Sequence, residues 1–275
     1  MTNTKRPSHL PEDILLDNPK DYSLTLAKGM AILEMFGPEV QSITFQSAAT
    51  HLGTSRASAR RLILTLMAMG YLDRTSSGAY ILTWKSLGIS RAFLAGSSIL
   101  SVLAERVRKF ASEFNCPCSI VSLSGPEVMF LCRDPSRRVY ASQLALGDRL
   151  PAHASAGGKL LLAVKTDAEL QDWFIRYAPQ KITSKTIVDP TVMLTEASRI
   201  RAQDYARSDG ELEDGLVSIG LPIRDHLGTI RLSLVVSQFA NRMTSATFSR
   251  KFLTPTRAAA EEISDIYADY LRHNA

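Results

Sequence analysis

Residues 45–64 read FQSAATHLGTSRASARRLIL, and no other segment restricts the fold so tightly. Thr44 stands where a helix N-cap belongs, and Ala48, Ala49 and Leu52 fall on one face of the helix after it. Gly53 follows four residues beyond Ala49 and suits a sharp reversal, because glycine adopts positive φ without steric cost. Ser55 then caps a further helix, whose buried stripe is Ala59, Leu62, Ile63, Leu66 and Met69, with Gly70 just past its end. Helices that meet through small alanines cross closely, as a helix–turn–helix requires. The outward residues of this second helix and its approach are Thr54, Ser55, Arg56, Ser58, Arg60 and Arg61. Such a helix enters the major groove of DNA, where Arg bonds guanine edges and phosphates.

The flanks extend this reading. Leu24, Ala27, Ala31, Ile32, Met35 and Phe36 recur at helical spacing until Gly37-Pro38. Tyr71-Leu72 and Tyr80-Ile81-Leu82 bracket Arg74-Thr75-Ser76-Ser77-Gly78, a hairpin whose tip carries Arg74 as a wing. The chain has 32 Lys and Arg against 27 Asp and Glu, a mild surplus of +5. Between residues 54 and 96, however, six basic residues meet one acidic residue, an electrostatic footprint for phosphate. The expected organisation is a polar, flexible arm over 1–21, a winged helix–turn–helix over 22–83, a linker helix over 84–97 and a second domain over 98–275. Gly88 and Gly96 weaken the linker.

Beyond residue 115 the texture changes. Cys116–Leu123, Glu127–Cys132, Arg137–Leu144, Leu216–Ile223 and Thr229–Ser237 read as strands. Ser155–Val164, Ala168–Tyr177 and Val192–Arg207 read as helices, as does a C-terminal segment burying Ala259, Ile263, Ile266, Tyr267, Tyr270 and Leu271. This predicts an α+β domain, an antiparallel sheet covered by helices. The fold class is therefore two-domain, α plus α+β. Ala154-Ser155-Ala156-Gly157-Gly158 opens a helix with small side chains, which lets a ligand approach backbone N–H groups. Arg133, ending a strand, is the candidate partner of a carboxylate, and Ser218 and Ser237 are candidate donors from strands. His153 is a cap, a ligand contact or a packed ring.

Other chemistry is excluded or weak. Three Cys (116, 118, 132) and five His show no ligand spacing, so neither a disulfide framework nor a metal site is expected. Gly157-Gly158-Lys159 lacks the spacing of a phosphate loop, and no cofactor is expected. A hydrolase using Ser155 or Ser218 with His153 and Glu211 is an alternative, but no nucleophile elbow surrounds either serine. Glu211 and Glu213 read as loop acids that organise backbone N–H groups. The apolar run 92–104 is too short to cross a membrane, no signal peptide is expected, and a reduced cytoplasm is the expected compartment.

Residues 22–82 resemble the winged N-terminal domain of IclR-family bacterial transcriptional regulators. The carrying segments are SLTLAKGMAILEMF (23–36), RRLILTLMAMGYLDR (60–74) and YILTWKSLGI (80–89). In the C-terminal half, GDRLPAHASAGGKLLLA (147–163) resembles the segment opening the family's pocket-lining helix, and DGELEDGLVSIGLPIRD (209–225) its acidic loop and strand. Asp204 and Gly210 depart from the family's usual residues. The wording is closest to the branch regulating 4-hydroxybenzoate and protocatechuate breakdown. The resemblance implies a GAF-like effector domain over 98–275, with contacts on Ala156, Gly157, Leu216, Ser218, Val235 and Ser237. It also implies operator DNA and a small, aromatic carboxylic acid as partners, homodimers through the DNA-binding domains, homotetramers built from them, and regulation of a catabolic operon rather than catalysis.

Overall fold

The computed structural model describes residues 21–37, 39–96, 98–134, 144–239 and 244–274. All but the last residue of the expected arm over 1–21, and most of the expected strand 137–144, lie outside these. The chain divides into two compact units, Met1–Ser97 and Ser98–Ala275.

The first unit holds α1 (Leu24–Leu33), α2 (Phe45–His51), α3 (Arg56–Ala68), the hairpin β1 (Leu72–Arg74) and β2 (Tyr80–Leu82), and α4 (Ser86–Gly96). Thr44 caps α2 through a reciprocal pair with Ser47. Ser55 caps α3 by accepting the Ser58 N–H. Gly53 and Gly70 sit at φ +57° and +79°, so each reversal uses the freedom of glycine. Ala48, Ala59, Ile32, Ile63 and Tyr80 form the centre of the core. Two expectations are corrected. Helix α1 ends at Leu33, short of Met35 and Phe36. Met69 is half exposed, because α3 ends one residue before it.

The second unit is one six-stranded antiparallel sheet between two helical layers. Its elements are α5 (Ser98–Phe114), β3 (Cys118–Ser124), β4 (Glu127–Asp134), β5 (Arg149–Pro151), α6 (Ala156–Leu162), α7 (Asp167–Tyr177), α8 (Pro190–Gln203), β6 (Ala206–Asp209), β7 (Leu216–Arg224), β8 (Ile230–Phe239) and α9 (Ser245–Asn274). The strand order is β5-β4-β3-β8-β7-β6. Alternation divides the sheet's faces. Ile120, Ile219, Leu221, Leu234 and Val236 pack with α5 and α9 through Leu103, Phe110, Phe248 and Phe252. Val121, Val128 and Phe130 pack beneath α6, α7 and α8 with Leu160, Trp173 and Ile200.

The predicted helix over 192–207 overruns. Asp189 caps α8 ahead of Pro190, and the helix stops where Asp204 turns left-handed at φ +58°. Arg224 and Arg257 hold the Asp204 carboxylate at 2.6 and 3.6 Å, which supports a conformation that favours glycine. Ala206 and Arg207 then belong to edge strand β6. Among the described residues no single helix is long and apolar enough to cross a membrane.

Candidate functional site

The first unit presents a basic edge. Arg56, Arg60, Arg61 and Arg74 are exposed, Thr54 and Ser58 are half-buried, and exposed Ser55 is engaged as the cap of α3. The Arg60 guanidinium lies 6.0 Å from the centre of the Phe45 ring. No salt bridge to a described residue holds these four arginines. Lys85, part of the charge cluster in sequence, is different. Its Nζ donates to the Met69 carbonyl at 2.6 Å and sits 4.9 Å over the Tyr71 ring, closing the C-terminus of α3.

The second unit encloses a cavity of about 520 Å³ between the sheet, the start of α6 and the loop after β6. Register explains its wall. Ile120 pairs with Cys132 but Val121 pairs with Phe130, leaving Leu131 as an extra residue in β4. Unbroken alternation would aim Arg133 away from Val128 and Phe130. The bulge turns it back, and all three line the cavity. Arg133 pairs across the ladder with Ser119, which pairs with Val235. Ser218 and Ser237 are direct partners on β7 and β8. Val121, Phe130, Leu144, Leu150, Leu216 and Phe239 supply apolar surface. The Arg133 guanidinium lies 5.1 Å from the Phe130 ring centre. Burial lowers its pKa and Asp148 opposes that effect, and a guanidinium remains a cation.

The small residues of α6 are a packing requirement. A Cβ on Gly157 would stand 2.7 Å from both Val121 and Val235, and one on Gly220 2.9 Å from the Ala156 carbonyl. The helix therefore rests on the sheet with nothing between, and Ala156 and Gly157 form cavity wall.

Of the residues singled out in sequence, Arg133, Ser155, Ala156, Gly157, Leu216, Ser218, Val235 and Ser237 all line this cavity. His153 does not. The residue is 4% exposed, and Nε2 meets the Gln180 carbonyl at 2.9 Å. A carbonyl only accepts, so Nε2 carries the proton and the ring is a packed histidine. Ser155 Oγ is occupied as the cap of α6, accepting the Gly158 N–H at 3.1 Å. The Ser155–His153 pairing imagined for a hydrolase is thus replaced by two structural bonds. Cys116, Cys118 and Cys132 are buried, and burial pushes Cys116 and Cys132 up to about 12 and 11, so none is a ready nucleophile.

Sequence reasoning missed one feature. Glu211 is a loop acid with a backbone contact at Asp209, and it does more than that. It is buried, and its Oε1 accepts from Lys159 Nζ at 2.5 Å. Lys159 is 2% exposed. The two residues lie far apart in sequence, and no periodic signal links them.

Burial lowers the His153 pKa against the opposing bond to Gln180. Above the unfolded value near 6.5 the ring is neutral in both states and contributes no pH dependence. Below it the unfolded chain binds a proton that the folded chain resists, so stability falls as pH falls. His153→Gln should flatten the loss of denaturation midpoint between pH 6.5 and 5. An unchanged slope in urea titrations would contradict this.

Two family models match the chain, the IclR helix-turn-helix domain over residues 25–76 and the bacterial transcriptional regulator IclR C-terminal domain over residues 92–265. The p-hydroxybenzoate hydroxylase transcriptional activator of Acinetobacter baylyi is 32% identical over 264 residues, spanning 94% of this chain and 96% of that protein. The Pca regulon regulatory protein of Pseudomonas putida is 29% identical over 245 residues, spanning 88% and 84%. A solved structure of a double mutant of the Acinetobacter PobR inducer-binding domain, in complex with 3-hydroxybenzoic acid, is similar at a TM-score of 0.56 with 28% identity. It covers 60% of this chain and 96% of that one.

Proposed function

This chain belongs to the IclR family of bacterial transcriptional regulators, and from that premise we propose that it is a regulator switched by a small aromatic carboxylic acid. The observation that carries this reading is the composition of the cavity. Among the described lining residues one guanidinium, Arg133, faces a wall that is largely apolar apart from Glu213 and Gln238, and the Ser218–Ser237 pair supplies hydroxyls elsewhere on its floor. A benzoate needs a cation for its carboxylate, apolar surface for its ring and a polar partner for a ring hydroxyl. The relatives named for p-hydroxybenzoate hydroxylase and for the pca regulon, and the 3-hydroxybenzoic acid complex, support the same class.

In this reading Arg56, Arg60, Arg61 and Arg74, with Thr54, Ser55 and Ser58, contact operator DNA. One reading helix covers a half-site, so the working unit is a homodimer. Helix α4 supports this. None of its residues is buried, and Leu87, Ile89 and Phe93 are each more than half exposed, beside Trp84 at 88%. Contact with a second copy would remove that apolar surface from water. Ligand binding changes the population of DNA-competent dimers.

The test is a mobility-shift titration on the promoter region beside the protein's own coding sequence, with competitor DNA, with and without 4-hydroxybenzoate or 3,4-dihydroxybenzoate. A specific complex that either acid modulates is expected. Loss of specificity at moderate salt would reject the DNA reading, and indifference to every aromatic acid the ligand class. Arg56→Ala should weaken the specific complex by about 1–3 kcal/mol. An unchanged affinity would remove Arg56 from the interface.

A further inference from the structure

The segment between β6 and β7 is hinged at both ends by glycines in left-handed conformation, Gly210 at φ +72° and Gly215 at φ +78°. Inside it, Leu212 and Glu213 form part of the cavity wall. Its own backbone bonds are few. The Gly210 N–H donates to Leu216 O at 2.8 Å, and the Leu216 N–H to Glu213 O at 3.0 Å. The other attachments are side chains. Thr183 Oγ1 donates to the Gly210 carbonyl and Thr186 Oγ1 to that of Glu211, both at 2.6 Å. The charged one among the described residues is Lys159, whose ammonium reaches Glu211 at 2.5 Å.

Lys159 is two residues beyond Gly157, on the helix that forms the opposite part of the same wall. A single buried ammonium therefore joins the two sides of the cavity. It also meets Glu196 of α8 at 3.3 Å, and Glu196 is held in turn by Arg199 at 2.8 Å. Two cations and two carboxylates balance in charge. Glu211 Oε2 is buried and accepts no hydrogen bond from the described residues. Lys159 is thus the main source of charge compensation for the carboxylate, ahead of the Asp209 backbone. A buried pair of this kind adds little net stability, yet removing one partner leaves the other charge stranded. Its value lies in fixing position.

We propose that Lys159 and Glu211 are positioning residues for ligand, a latch that holds the 210–215 segment against α6 as a wall of the cavity. Neither side chain touches the cavity. Whatever binds there gains the closed wall only while the pair is formed, so pair and ligand stabilise one another by linkage. The affinity arm of the test rests on the aromatic-acid reading above, and the exchange arm does not.

Glu211→Gln keeps the shape of the side chain and removes its charge. In full-length protein without ligand, hydrogen exchange is expected to speed up at least 10-fold in peptides covering 210–216, with β8 peptides unchanged. Calorimetry with 4-hydroxybenzoate is expected to show at least a 10-fold loss of affinity. Unchanged exchange in 210–216 would overturn the latch. So would an equal rise in β8, since that describes general destabilisation. Faster exchange with unaltered affinity would overturn the positioning role. If wild-type protein binds no aromatic acid, the ligand reading fails, and the exchange result alone upholds or overturns the latch.

Discussion

Gly158→Ala is expected to lower the thermal midpoint of the 98–275 unit by about 5–10 °C, despite placing a better helix former inside a helix. A Cβ on Gly158 would stand 2.2 Å from the Ala152 carbonyl oxygen and 2.4 Å from its Cα. Both are backbone atoms of the turn that precedes α6, so neither can swing aside. Overpacking costs about 1–3 kcal/mol and more where the neighbour is rigid. The gain in helix propensity returns only about 1 kcal/mol. The rigid backbone neighbour puts the cost just above that range, at about 3–4 kcal/mol, and the resulting net loss of roughly 2–3 kcal/mol corresponds to that shift in a unit of this size. Gly29 is the control, because it lies in α1 with nothing within 4 Å of the position its Cβ would take. Gly29→Ala should leave stability unchanged or raise it by up to about 1 kcal/mol. Calorimetry on both variants decides the matter. A midpoint that rises in both would mean that α6 is not pressed onto the turn as described, and its role as cavity wall would need another basis.

The same contrast explains what was legible in the amino-acid sequence. The helix–turn–helix could be read because its determinants are local. Thr44, Gly53, Ser55 and Gly70 each act within a few residues of where they stand, and each occupies the cap or turn expected of it. The small residues around Gly157 were also visible, although their reason is contact with Val121 and Val235 rather than space for a ligand alone. The end of α8 was not legible, since Asp204 stops it with support from Arg224 and Arg257, which no local pattern announces. Helix α9 likewise continues through Pro255, where a breaker would be read from sequence. The latch was hidden for a further reason. Lys159 resembles the lysine of a phosphate loop and Glu211 an ordinary loop acid, and only the fold brings them together.

Arg133 shows how one irregularity decides a site, and Arg133→Met is expected to weaken 4-hydroxybenzoate binding about 10- to 150-fold. That range is the roughly 1.5–3 kcal/mol of a hydrogen bond to a charged group. Counting alternation along β4 from Phe130 puts position 133 on the face toward α5 and α9. The extra residue at Leu131 reverses that, and Arg133 becomes the cation among the described residues lining the cavity. Among the described residues of this wall, a carboxylate that leaves water has no other positive side chain to meet. Methionine preserves length and apolar volume, so the Phe130 contact survives in large part and the fold should hold. The decisive comparison is between a charged and a neutral ligand of the same shape. Affinity for 4-hydroxybenzamide, which carries no charge, should be nearly the same in wild type and variant, while affinity for 4-hydroxybenzoate collapses. If both ligands weaken equally, Arg133 acts by shaping the wall and not by pairing with charge. In that case backbone donors at Ala156 and Gly157 and the lining serine hydroxyls become the described candidates for the anion's partner, and the bulge at Leu131 would serve packing rather than recognition.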